Sequence, residues 1–385
     1  METRFDNIVH YLDRKGITTW VQTYQPITSA GVLGKAYERR GRNVEIWRTR
    51  WIGGDLFHRL LKYPVLDALY LCPLLFLKCF WFLFKNHSRV KVIHAAGFNA
   101  ALIARLLYYV FRIPYVVTIH ALYSLEPQSK TSLSAKWILK RARKILALSH
   151  TSRRDILNCG VSAQIVGIHT NWIDVDHFRP LNKEISKKAL GLEGKFVVVM
   201  VGRLKRIKGV SIVIELARRL EKHGIVMLVA GDGDMREEVL TAAQEMANLV
   251  YVGRVRNTEL PEIYSAGDVS LVPSVYPEGF ARVVLESLGC GLPVVASNVG
   301  CIPEQVDEGC GILVEPKVGN FEEAILTLYN APDRLKKMSA YARRFCCRRY
   351  SAKNMHSILE AYGFIPEGSK PGSTQGGLRL EALLD

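Results

Sequence analysis

Residues 195–210 read KFVVVMVGRLKRIKGV, and this stretch decides the fold predicted for the second half of the chain. An uninterrupted apolar run, Phe196–Val201, ends at Gly202, and a short loop with Arg203 and Lys208 follows before a helical pattern begins. Apolar runs of this kind are typical of strands buried on both faces of a parallel sheet. Because open α/β sheets bind ligands where their strands end, two cations there beside a helix N-terminus predict a diphosphate site.

The alternation of strand and helix patterns occurs twice along the chain. The second half continues with the apolar runs IVMLVAG, LVYVG, VSLVP, PVVAS and GILVEP. The first half has candidate strands at Ile17–Gln22, Asn43–Trp47, Lys91–His94, Tyr115–Ile119 and Ile145–Leu148, and candidate helices at Ala30–Arg40 and Asn99–Phe111. Two such series predict two doubly wound α/β domains.

The boundary between these domains is predicted in FRPLNK, Phe178–Lys183, a polar stretch with a proline. This divides the chain into an N-terminal domain over residues 1–180 and a C-terminal domain over residues 181–366. Residues 367–385 begin with EGSKPGSTQGG, a composition typical of a flexible tail.

Basic residues are concentrated in the N-terminal half. The chain of 385 residues has a net charge of +16. Residues 1–180 contain 26 Lys and Arg against 11 Asp and Glu, a net of +15, whereas residues 181–385 contain 26 against 25. This asymmetry indicates an anionic partner, such as a membrane, a phosphorylated acceptor or nucleic acid, or else a basic solvated surface without a partner. No basic motif with interleaved aromatic residues is present, so nucleic acid is not predicted as a partner.

The cysteines and the N-terminus favour a reducing cytosol. Eight cysteines occur without a CxxC spacing, which predicts neither a zinc site nor a disulfide framework. Residues 1–16 carry several charges and lack the apolar core of a signal peptide.

One apolar segment, VLDALYLCPLLFLKCFWFLF at Val65–Phe84, contains only two charged residues, Asp67 and Lys78. A helix turns about 100° per residue, which places both charges on one side and leaves the rest of the surface apolar. Pro73 and Lys78 disfavour a transmembrane span, which needs about 20 mostly apolar residues. Trp81 and the basic residues that follow suit the interfacial depth of a membrane. The segment therefore has three interpretations: core helices over the first sheet, peripheral membrane attachment, or a true span.

A second strand–loop–helix unit contains Val275–Gly291, VYPEGFARVVLESLGCG, with two glutamates eight residues apart. Glu278 falls in the turn and Glu286 in the helix, and eight helical positions correspond to about 12 Å. A carboxylate repels an anion but accepts hydrogen bonds from hydroxyls at both oxygens. Two carboxylates beside a diphosphate site predict a ligand with hydroxyls at both ends, which is a nucleotide sugar. Backbone N–H groups of Gly279 and Phe280 are placed to meet its phosphate.

These motifs together resemble a known family. The stretches VGRLKRIKG, AGDGD, YVGRV, PSVYPEGFARVVLESLGCGLPVVAS and GCIPE are similar to the donor-binding domain of retaining glycosyltransferase family 4, also called glycosyltransferase group 1. The stretches VIHAAG, VVTIHALYS, ILALSHTSRRDIL and NWIDVDHFRP extend the resemblance to roughly residues 17–363. The resemblance implies the GT-B fold, in which two Rossmann-like doubly wound domains face each other with the donor site in the interdomain cleft.

The resemblance also implies the catalytic residues, which are His120, Glu278, Arg203 and Lys208. Arg203 and Lys208 would hold the leaving diphosphate. Glu278 would bind sugar hydroxyls near C3, and Glu286 would bind the ribose hydroxyls. His120 follows the strand YVVTI, where the family has an active-site histidine beside the donor sugar.

Further substrate contacts implied by the resemblance come from the backbone. Gly279 and Phe280 would donate N–H groups to the diphosphate or the sugar. Val255, in the loop after YVGR, would bracket the base. Gly31 would provide a close backbone approach to the acceptor and donor phosphates.

Three positions depart from the family pattern. Ser29–Gly31 stands where many members have a Gly-Gly loop, so the match of Gly31 is weak. Trp172 replaces a common glycine, and Cys301 replaces the second glycine before the Ile-Pro-Glu run. These changes would alter the selectivity for acceptor or sugar, and none removes a phosphate or hydroxyl ligand.

No metal or other cofactor is predicted. The D-x-D sequences at Asp174–Asp176 and Asp232–Asp234 match the metal-binding motif of the other glycosyltransferase fold, but one falls at the domain junction and the other in a turn. Arg203 and Lys208 already neutralise the diphosphate. The chain has neither a G-x-G-x-x-G nor a G-x-x-x-x-G-K-[ST] motif, which disfavours dehydrogenases and P-loop enzymes.

The predicted function is retaining transfer of a hexose-like sugar from a nucleotide diphosphate sugar to an acceptor bound by the N-terminal domain. The basic half and the segment Val65–Lys91 favour a lipid-linked or membrane-presented acceptor and a cytoplasmic, peripheral location on the anionic inner leaflet. Synthesis of cell-envelope polysaccharide, lipopolysaccharide or glycolipid would follow. The alternatives are a nucleotide-sugar epimerase or hydrolase of the same fold, and a non-enzymatic, membrane-bound protein that binds sugar nucleotides.

Overall fold

The computed structural model describes residues 2–26, 35–51, 64–119 and 130–366. It divides the chain into two units. The first unit comprises Met1–His169 and Lys353–Asp385, and the second comprises Thr170–Ala352.

The described part of the first unit alternates helices with short strands. Up to His169 its elements are α1 (Glu2–Arg14), β1 (Thr19–Pro26), β2 (Tyr37–Arg40), β3 (Val44–Trp51), α2 (Pro64–Asn86), β4 (Ile93–Ala96), α3 (Gly97–Phe111), β5 (Tyr115–Ile119), α4 (Lys130–Leu139), β6 (Lys144–Ala147), α5 (His150–Asn158) and β7 (Val166–Ile168). Strands β4, β5, β6 and β7 form a parallel sheet in that order. Every residue of β5, YVVTI, is buried, as expected for a strand covered on both faces.

The first three strands form a separate sheet in the order β1-β3-β2. Strand β1 runs parallel to β3, whereas β2 is antiparallel to it, pairing Tyr37 with Trp47 and Arg40 with Val44. The helix predicted over Ala30–Arg40 is therefore wrong at Tyr37–Arg40. The tight turn that follows at Gly41, whose φ is +63°, returns the chain directly to β3 and makes it a hairpin. Residues 30–34 lie outside the described residues.

Helix α2 contains the whole apolar segment noted in the sequence, Val65–Phe84, and has one buried and one exposed side. Cys72, Leu75 and Leu83 are buried in a core cluster that also contains Ile103 and Leu107 of α3, and Leu71 is buried as well. By length and composition, Leu66–Arg89 is the one helix in the described residues that could cross a membrane. Of the 18-residue stretch that meets this test, 28% is buried. The opposite side of the helix remains exposed.

The second unit is built around one larger sheet. Its elements are α6 (Lys183–Ala189), β8 (Phe196–Val201), α7 (Val210–Leu220), β9 (Ile225–Ala230), α8 (Arg236–Glu245), β10 (Leu249–Tyr251), α9 (Leu260–Ser265), β11 (Val269–Val272), α10 (Arg282–Gly289), β12 (Val294–Ser297), β13 (Gly311–Val314), α11 (Val318–Tyr329) and α12 (Pro332–Arg349). All six apolar runs predicted as strands in this half are strands.

The sheet of the second unit is parallel and has the order β10-β9-β8-β11-β12-β13. Both faces are covered: Val198 and Met200 of β8 belong to the core cluster shared with α7, α8 and α11, and the alternate residues Val197 and Val199 are fully buried as well. The chain builds outward from β8 to β10, then returns to place β11 on the other side of β8. The strand order therefore reverses between β8 and β11, which is where doubly wound sheets bind ligands.

The boundary between the units differs from the predicted one. It falls after His169 rather than near residue 180, and Lys353 begins a return to the first unit. Ile173 and Phe178 are buried in the second unit, where Arg343 of α12 donates to the carbonyl of Phe178 at 2.7 Å. FRPLNK contains a proline and polar residues, but its phenylalanine packs in the second unit, so the compact units divide earlier in the chain than the predicted boundary.

The returning segment contains the last described helix, α13 (Met355–Tyr362), which packs on the first unit. The hydroxyl of Tyr362 is hydrogen-bonded to His94 Nδ1 at 2.7 Å, and Ser357 Oγ to His169 Nδ1 at 2.8 Å. These contacts explain why residues 353–366 belong to the first unit, not to the predicted C-terminal domain. The predicted tail, 367–385, lies outside the described residues.

Candidate functional site

The loops after β8 and β11 meet at the point where the strand order reverses. Gly209 has a φ of +77°, and a Cβ at that position would lie 2.0 Å from the carbonyl oxygen of Pro273. The N–H of Val275 donates to the carbonyl of Ile207 at 3.0 Å. The loop that carries Lys208 is thus held against the loop that carries Glu278 by backbone contacts that only glycine permits at residue 209.

Lys208 and Glu278, predicted to act on different parts of a ligand, form an ion pair. Lys208 Nζ lies 2.6 Å from Glu278 Oε2, and their side chains are 22% and 14% exposed. The hydroxyl of Ser274 donates to the other carboxylate oxygen, Oε1. A cation and a carboxylate are therefore fixed side by side at the strand ends, with both oxygens of the carboxylate already holding one donor.

The loop after β12 packs against the backbone of Glu278. The N–H of Cys301 donates to the carbonyl of Glu278 at 3.0 Å. A Cβ on Gly300, whose φ is +60°, would lie 2.5 Å from the backbone nitrogen of Glu278. Cys301 itself is buried and its thiol contacts Gln305. The cysteine that departs from the family pattern is therefore a packing residue beside the backbone of Glu278.

Arg203, the other predicted phosphate ligand, is exposed in the loop after β8. Its neighbour Lys205 is paired with Asp234 at 3.3 Å, and the N–H of Leu204 donates to the carbonyl of Asp232 at 2.9 Å. The second D-x-D sequence therefore serves as a turn that pairs with the Arg203 loop. Within the described residues no group of three or more His, Cys, Asp or Glu side chains is arranged to hold a metal ion.

Glu286 is buried in α10 and has a partner on each oxygen. Arg282 Nε donates to Oε1 at 2.6 Å, and the hydroxyl of Tyr264 donates to Oε2 at 3.0 Å. Burial, and next the negative charge of Glu286, raise the pKa of Tyr264 well above its usual range, so this hydroxyl stays protonated and donates. Each carboxylate oxygen accepts more than one hydrogen bond, so Glu286 keeps capacity for further donors.

The remaining predicted residues have different outcomes. Gly279 and Phe280 lie between the Glu278 turn and α10, and Phe280 is buried. Val255 lies in the loop after β10, two strands from β8. His120 and Gly31 lie outside the described residues, so their roles stay predictions.

Sequence reasoning missed three residues that contact the two glutamates predicted to bind the substrate: Ser274, Tyr264 and Arg282. A signal existed for Arg282, which stands four residues before Glu286 on a helix and so lies on the same face. Ser274 is also four residues from its partner, but through a non-helical turn. Tyr264 lies on α9, and no sequence pattern links it to Glu286.

Comparison with known proteins places the chain in a family. The model for "Glycosyltransferase Family 4" matches residues 1–177, and the model for "Glycosyl transferases group 1" matches residues 182–345. An alpha-maltose-1-phosphate synthase of Mycobacterium tuberculosis is 30% identical over 295 residues, which are 69% of this chain and 76% of that protein. The enzyme of the same name from Mycolicibacterium smegmatis is 29% identical over 309 residues, 72% of this chain and 80% of that protein.

Solved structures with the same fold cover most of the chain. Anabaena HepE in complex with UDP matches with a TM-score of 0.69 and 19% identity over 90% of this chain and 100% of that one. Sucrose-phosphate synthase from Thermosynechococcus elongatus matches with a TM-score of 0.72 and 20% identity over 94% and 91% of the two chains. The fold is that of GT-B glycosyltransferases, and the chain belongs to the group 1, family 4 glycosyltransferases.

Proposed function

We propose that this glycosyltransferase transfers a hexose-like sugar from a nucleotide diphosphate sugar, with retention of anomeric configuration, to a lipid-linked acceptor. The observation that carries the proposal is the Lys208–Glu278 pair at the reversal of strand order, with Glu286 further along the same loop–helix unit. In this proposal Lys208 is the cation for the phosphate, Glu278 beside it accepts from hydroxyls, and Glu286 is the second carboxylate for hydroxyls. Complexes of the similar Anabaena protein with UDP and with UDP-glucose support a nucleotide-sugar donor.

The proposed division of labour follows from charge. Lys208 and Arg203 bind the diphosphate, Glu278 accepts hydrogen bonds from the sugar, and Glu286 accepts them from the ribose. When the bond between the anomeric carbon and the diphosphate breaks, negative charge grows on the diphosphate. Fixed cations therefore stabilise the transition state more than the ground state. We propose that these two cations take the place of a metal ion.

The other predicted ligands complete the donor site in this proposal. Gly279 and Phe280 donate N–H groups to the diphosphate or sugar, and the backbone of Val255 brackets the base. His120 lies beside the donor sugar, and Gly31 lies near the phosphates. Glu278 is assigned to sugar hydroxyls, and no residue is assigned as a nucleophile.

The proposed acceptor and location rest on charge and exposed apolar surface. The first 180 residues have a net charge of +15, and one side of helix α2 is apolar and exposed. Both features fit a peripheral protein at the anionic cytoplasmic face of the cell membrane. We propose that it acts there in the synthesis of cell-envelope polysaccharide, lipopolysaccharide or glycolipid.

A thermal-shift series with nucleoside diphosphates and nucleotide sugars tests the donor assignment, because a ligand that binds only the folded state raises the melting temperature. At 100 times its Kd a donor adds about 2.7 kcal/mol to the free energy of unfolding. Lys208→Ala should abolish the shift, whereas Lys205→Ala, which removes a cation paired with Asp234, should retain most of it. No shift with any nucleotide, or equal shifts in wild type and Lys208→Ala, would overturn the assignment.

Product analysis separates transfer from the two alternatives. An epimerase or hydrolase of this fold would convert the donor when no acceptor is present. A non-enzymatic binding protein would show the thermal shift and leave the donor unchanged under all conditions. Donor consumption that requires added acceptor, with the anomeric configuration kept in the product, is the expected result.

A further inference from the structure

Exposed apolar side chains are concentrated on three helices of the first unit. Of the eighteen large apolar side chains exposed among the described residues, eleven lie on α2, α3 and α4. Six of them form what we call the apolar face of α2: Leu66, Leu69, Leu74, Leu77, Trp81 and Phe84. Scattered single apolar residues are ordinary on protein surfaces, but a face of this size indicates an interaction site.

The apolar face of α2 is a continuous stripe. At 100° per residue, Leu66, Leu77 and Phe84 point within about 20° of one another, and Trp81 lies about 60° from Leu66. The opposite side of α2 is packed in the core with α3. A transmembrane arrangement would expose that core, so the structure favours a helix that lies on a membrane surface rather than one that spans it.

Aromatic side chains join α2 to α3 and α3 to α4. Phe80 of α2 packs on Phe111 of α3, with ring centroids 5.3 Å apart, and Tyr109 of α3 packs on Trp137 of α4 at 6.3 Å. The exposed Tyr109 and Trp137 both cover the guanidinium of Arg105, at 4.6 and 5.2 Å from its Cζ, which fixes their orientation. Tyrosine and tryptophan favour the boundary between lipid and water because they are apolar with one polar group.

The charge of this region identifies the partner. Residues 68–154 contain fourteen Lys and Arg and one acidic residue, Glu126. Lys78 and Lys85 are exposed along one edge of the apolar face, about 120° and 100° from Leu66 around the helix. Lys85 also lies 6.0 Å from the ring centroid of Trp81. An apolar stripe with a basic edge is the pattern by which helices bind anionic lipid surfaces.

We propose that the apolar face of α2, together with Tyr109 and Trp137, docks this protein on an anionic lipid bilayer. A second copy of the chain is a poorer occupant, because a symmetric contact would bring the same basic edges together. Nucleic acid is poorer too, since a phosphate backbone gives no partner to leucine side chains. The inference deepens the peripheral location proposed above, and it does not depend on the donor chemistry.

Vesicle flotation with the full chain tests the proposal. The probes are vesicles of equal parts phosphatidylcholine and phosphatidylglycerol, and vesicles of phosphatidylcholine alone. The protein should float with the anionic vesicles at low salt, much less at high salt, and weakly with the neutral ones. Failure to bind anionic vesicles at low salt would overturn the proposal.

Two double variants locate the surface. Leu77→Gln with Trp81→Gln should weaken partitioning at least tenfold, because both side chains would lose burial in lipid. Lys78→Gln with Lys85→Gln should weaken it by about thirtyfold on anionic vesicles, about fivefold for each cation. Matched controls on the second unit are Ile185→Gln, which is 68% exposed, and Lys336→Gln with Lys337→Gln. If the control variants bound vesicles as weakly as the α2 variants do, the proposed surface would be refuted.

Two further measurements distinguish the causes of failure. All substituted positions are exposed, so melting temperatures should stay within a few degrees of wild type. If both α2 double variants melted at much lower temperatures, the milder variants Trp81→Tyr and Lys85→Gln would be used in their place. Nucleotide binding is measured on the same samples. If the protein bound vesicles but no nucleotide, the proposed function would be refuted and the docking proposal would stand. A lipid-free dimer that dissociates on Leu77→Gln with Trp81→Gln would assign the surface to a second copy and overturn this inference.

Discussion

Lys208 Nζ and Glu278 Oε2 lie 2.6 Å apart at the junction of two loops, so the cation predicted for the diphosphate is held by the carboxylate predicted for the sugar. If the proposed roles hold, a nucleotide sugar satisfies both groups at once, because its diphosphate binds Lys208 and its hydroxyls bind Glu278. A nucleoside diphosphate would bind only Lys208 and leave Glu278 without its cation. We therefore expect the pair to favour the complete donor over the product that remains after transfer.

Glu278→Gln should separate these two ligands with effects of opposite sign. Without the competing carboxylate, Lys208 is available to phosphate, so affinity for the nucleoside diphosphate should rise about three- to tenfold, as for an ion pair worth about 1 kcal/mol. Transfer should fall about 10- to 100-fold, because a hydrogen bond to a charged group is worth about 1.5–3 kcal/mol. Calorimetric titration and initial rates measure the two effects. Asp234→Asn, which frees Lys205 instead, should change neither by more than about twofold.

Equal loss of affinity for donor and nucleoside diphosphate in Glu278→Gln would contradict this account. Such a result would mean that Glu278 holds the loop in place rather than competing for Lys208. Ser274→Ala supplies a further check, because it removes the donor to Oε1 and leaves the Lys208 contact to Oε2 unchanged.

Tyr264→Phe should weaken recognition of the ribose. The hydroxyl of Tyr264 is the donor to Oε2 of buried Glu286, and its loss leaves a buried carboxylate oxygen without that partner, at a cost of about 1–3 kcal/mol to the folded protein. We expect affinity for a ribonucleoside diphosphate to fall about tenfold, and affinity for its 2′-deoxy analogue to fall less. Parallel titrations with the two nucleotides measure the difference.

Tyr329→Phe is the matched control for this prediction. It also removes a tyrosine hydroxyl of the second unit, one that contacts the carbonyl of His223 at 3.4 Å on the surface. The control should bind both nucleotides as wild type does. If Tyr264→Phe lowered both affinities equally, Tyr264 would be supporting the fold and not the ribose contact.

The strands and loops of the second unit were predicted well from the sequence, for a physical reason. Uninterrupted apolar runs such as Phe196–Val201 are compatible with few structures other than buried parallel strands, and the loops that follow such strands meet at one edge of the sheet. The placement of Lys208 near Glu278 follows from that topology. Their direct pairing does not, because it depends on the backbone contact of Gly209 with Pro273, which no pattern of residue types encodes.

The predictions for the first half were less accurate because its signals are weaker. The strand at Tyr37–Arg40 is short, and three of its four residues are exposed, so it has no apolar pattern. The domain boundary depends on tertiary contacts, namely the burial of Phe178 and the return of α13 to His94, which are remote in sequence. Apolar composition identified α2 as unusual, but only the structure shows which of its sides is covered.

Gly300→Ala should damage the site through the backbone. Residue 300 has a φ of +60°, and a methyl group there would come within 2.5 Å of the backbone nitrogen of Glu278. We expect the free energy of unfolding to fall by about 2 kcal/mol or more, with a loss of donor affinity because the Glu278 turn must shift. Gly319→Ala is the control, since its Cβ would meet nothing within 4 Å and it lies in a helix, where alanine is favoured. If chemical denaturation gave Gly300→Ala the same free energy of unfolding as the control, the close approach of residue 300 to the backbone of Glu278 would be contradicted.

Two histidines, the half-buried His94 and the buried His169, link α13 to the rest of the first unit. His94 is hydrogen-bonded to Tyr362 at 2.7 Å and to Thr118 at 2.6 Å, and burial lowers its pKa to about 4. His169 is hydrogen-bonded to Ser357 at 2.8 Å, and burial together with the nearby His94 lowers its pKa to about 3. Both side chains are therefore neutral in the folded protein through the whole mildly acidic range.

The first unit should lose stability as the pH falls below about 6.5, the value at which histidines of the unfolded chain become protonated. Since the unfolded state then binds more protons than the folded state, the free energy of unfolding decreases by up to about 1.4 kcal/mol per pH unit for each histidine, down to the folded pKa values near 4 and 3. His94→Asn should reduce the slope of stability against pH between 6 and 5 by about one proton, while His10→Asn, at an exposed position, should leave it unchanged. Urea unfolding at each pH, followed by hydrogen exchange of α13, measures the slope, and an identical slope in the two variants would show that His94 is not the titrating group.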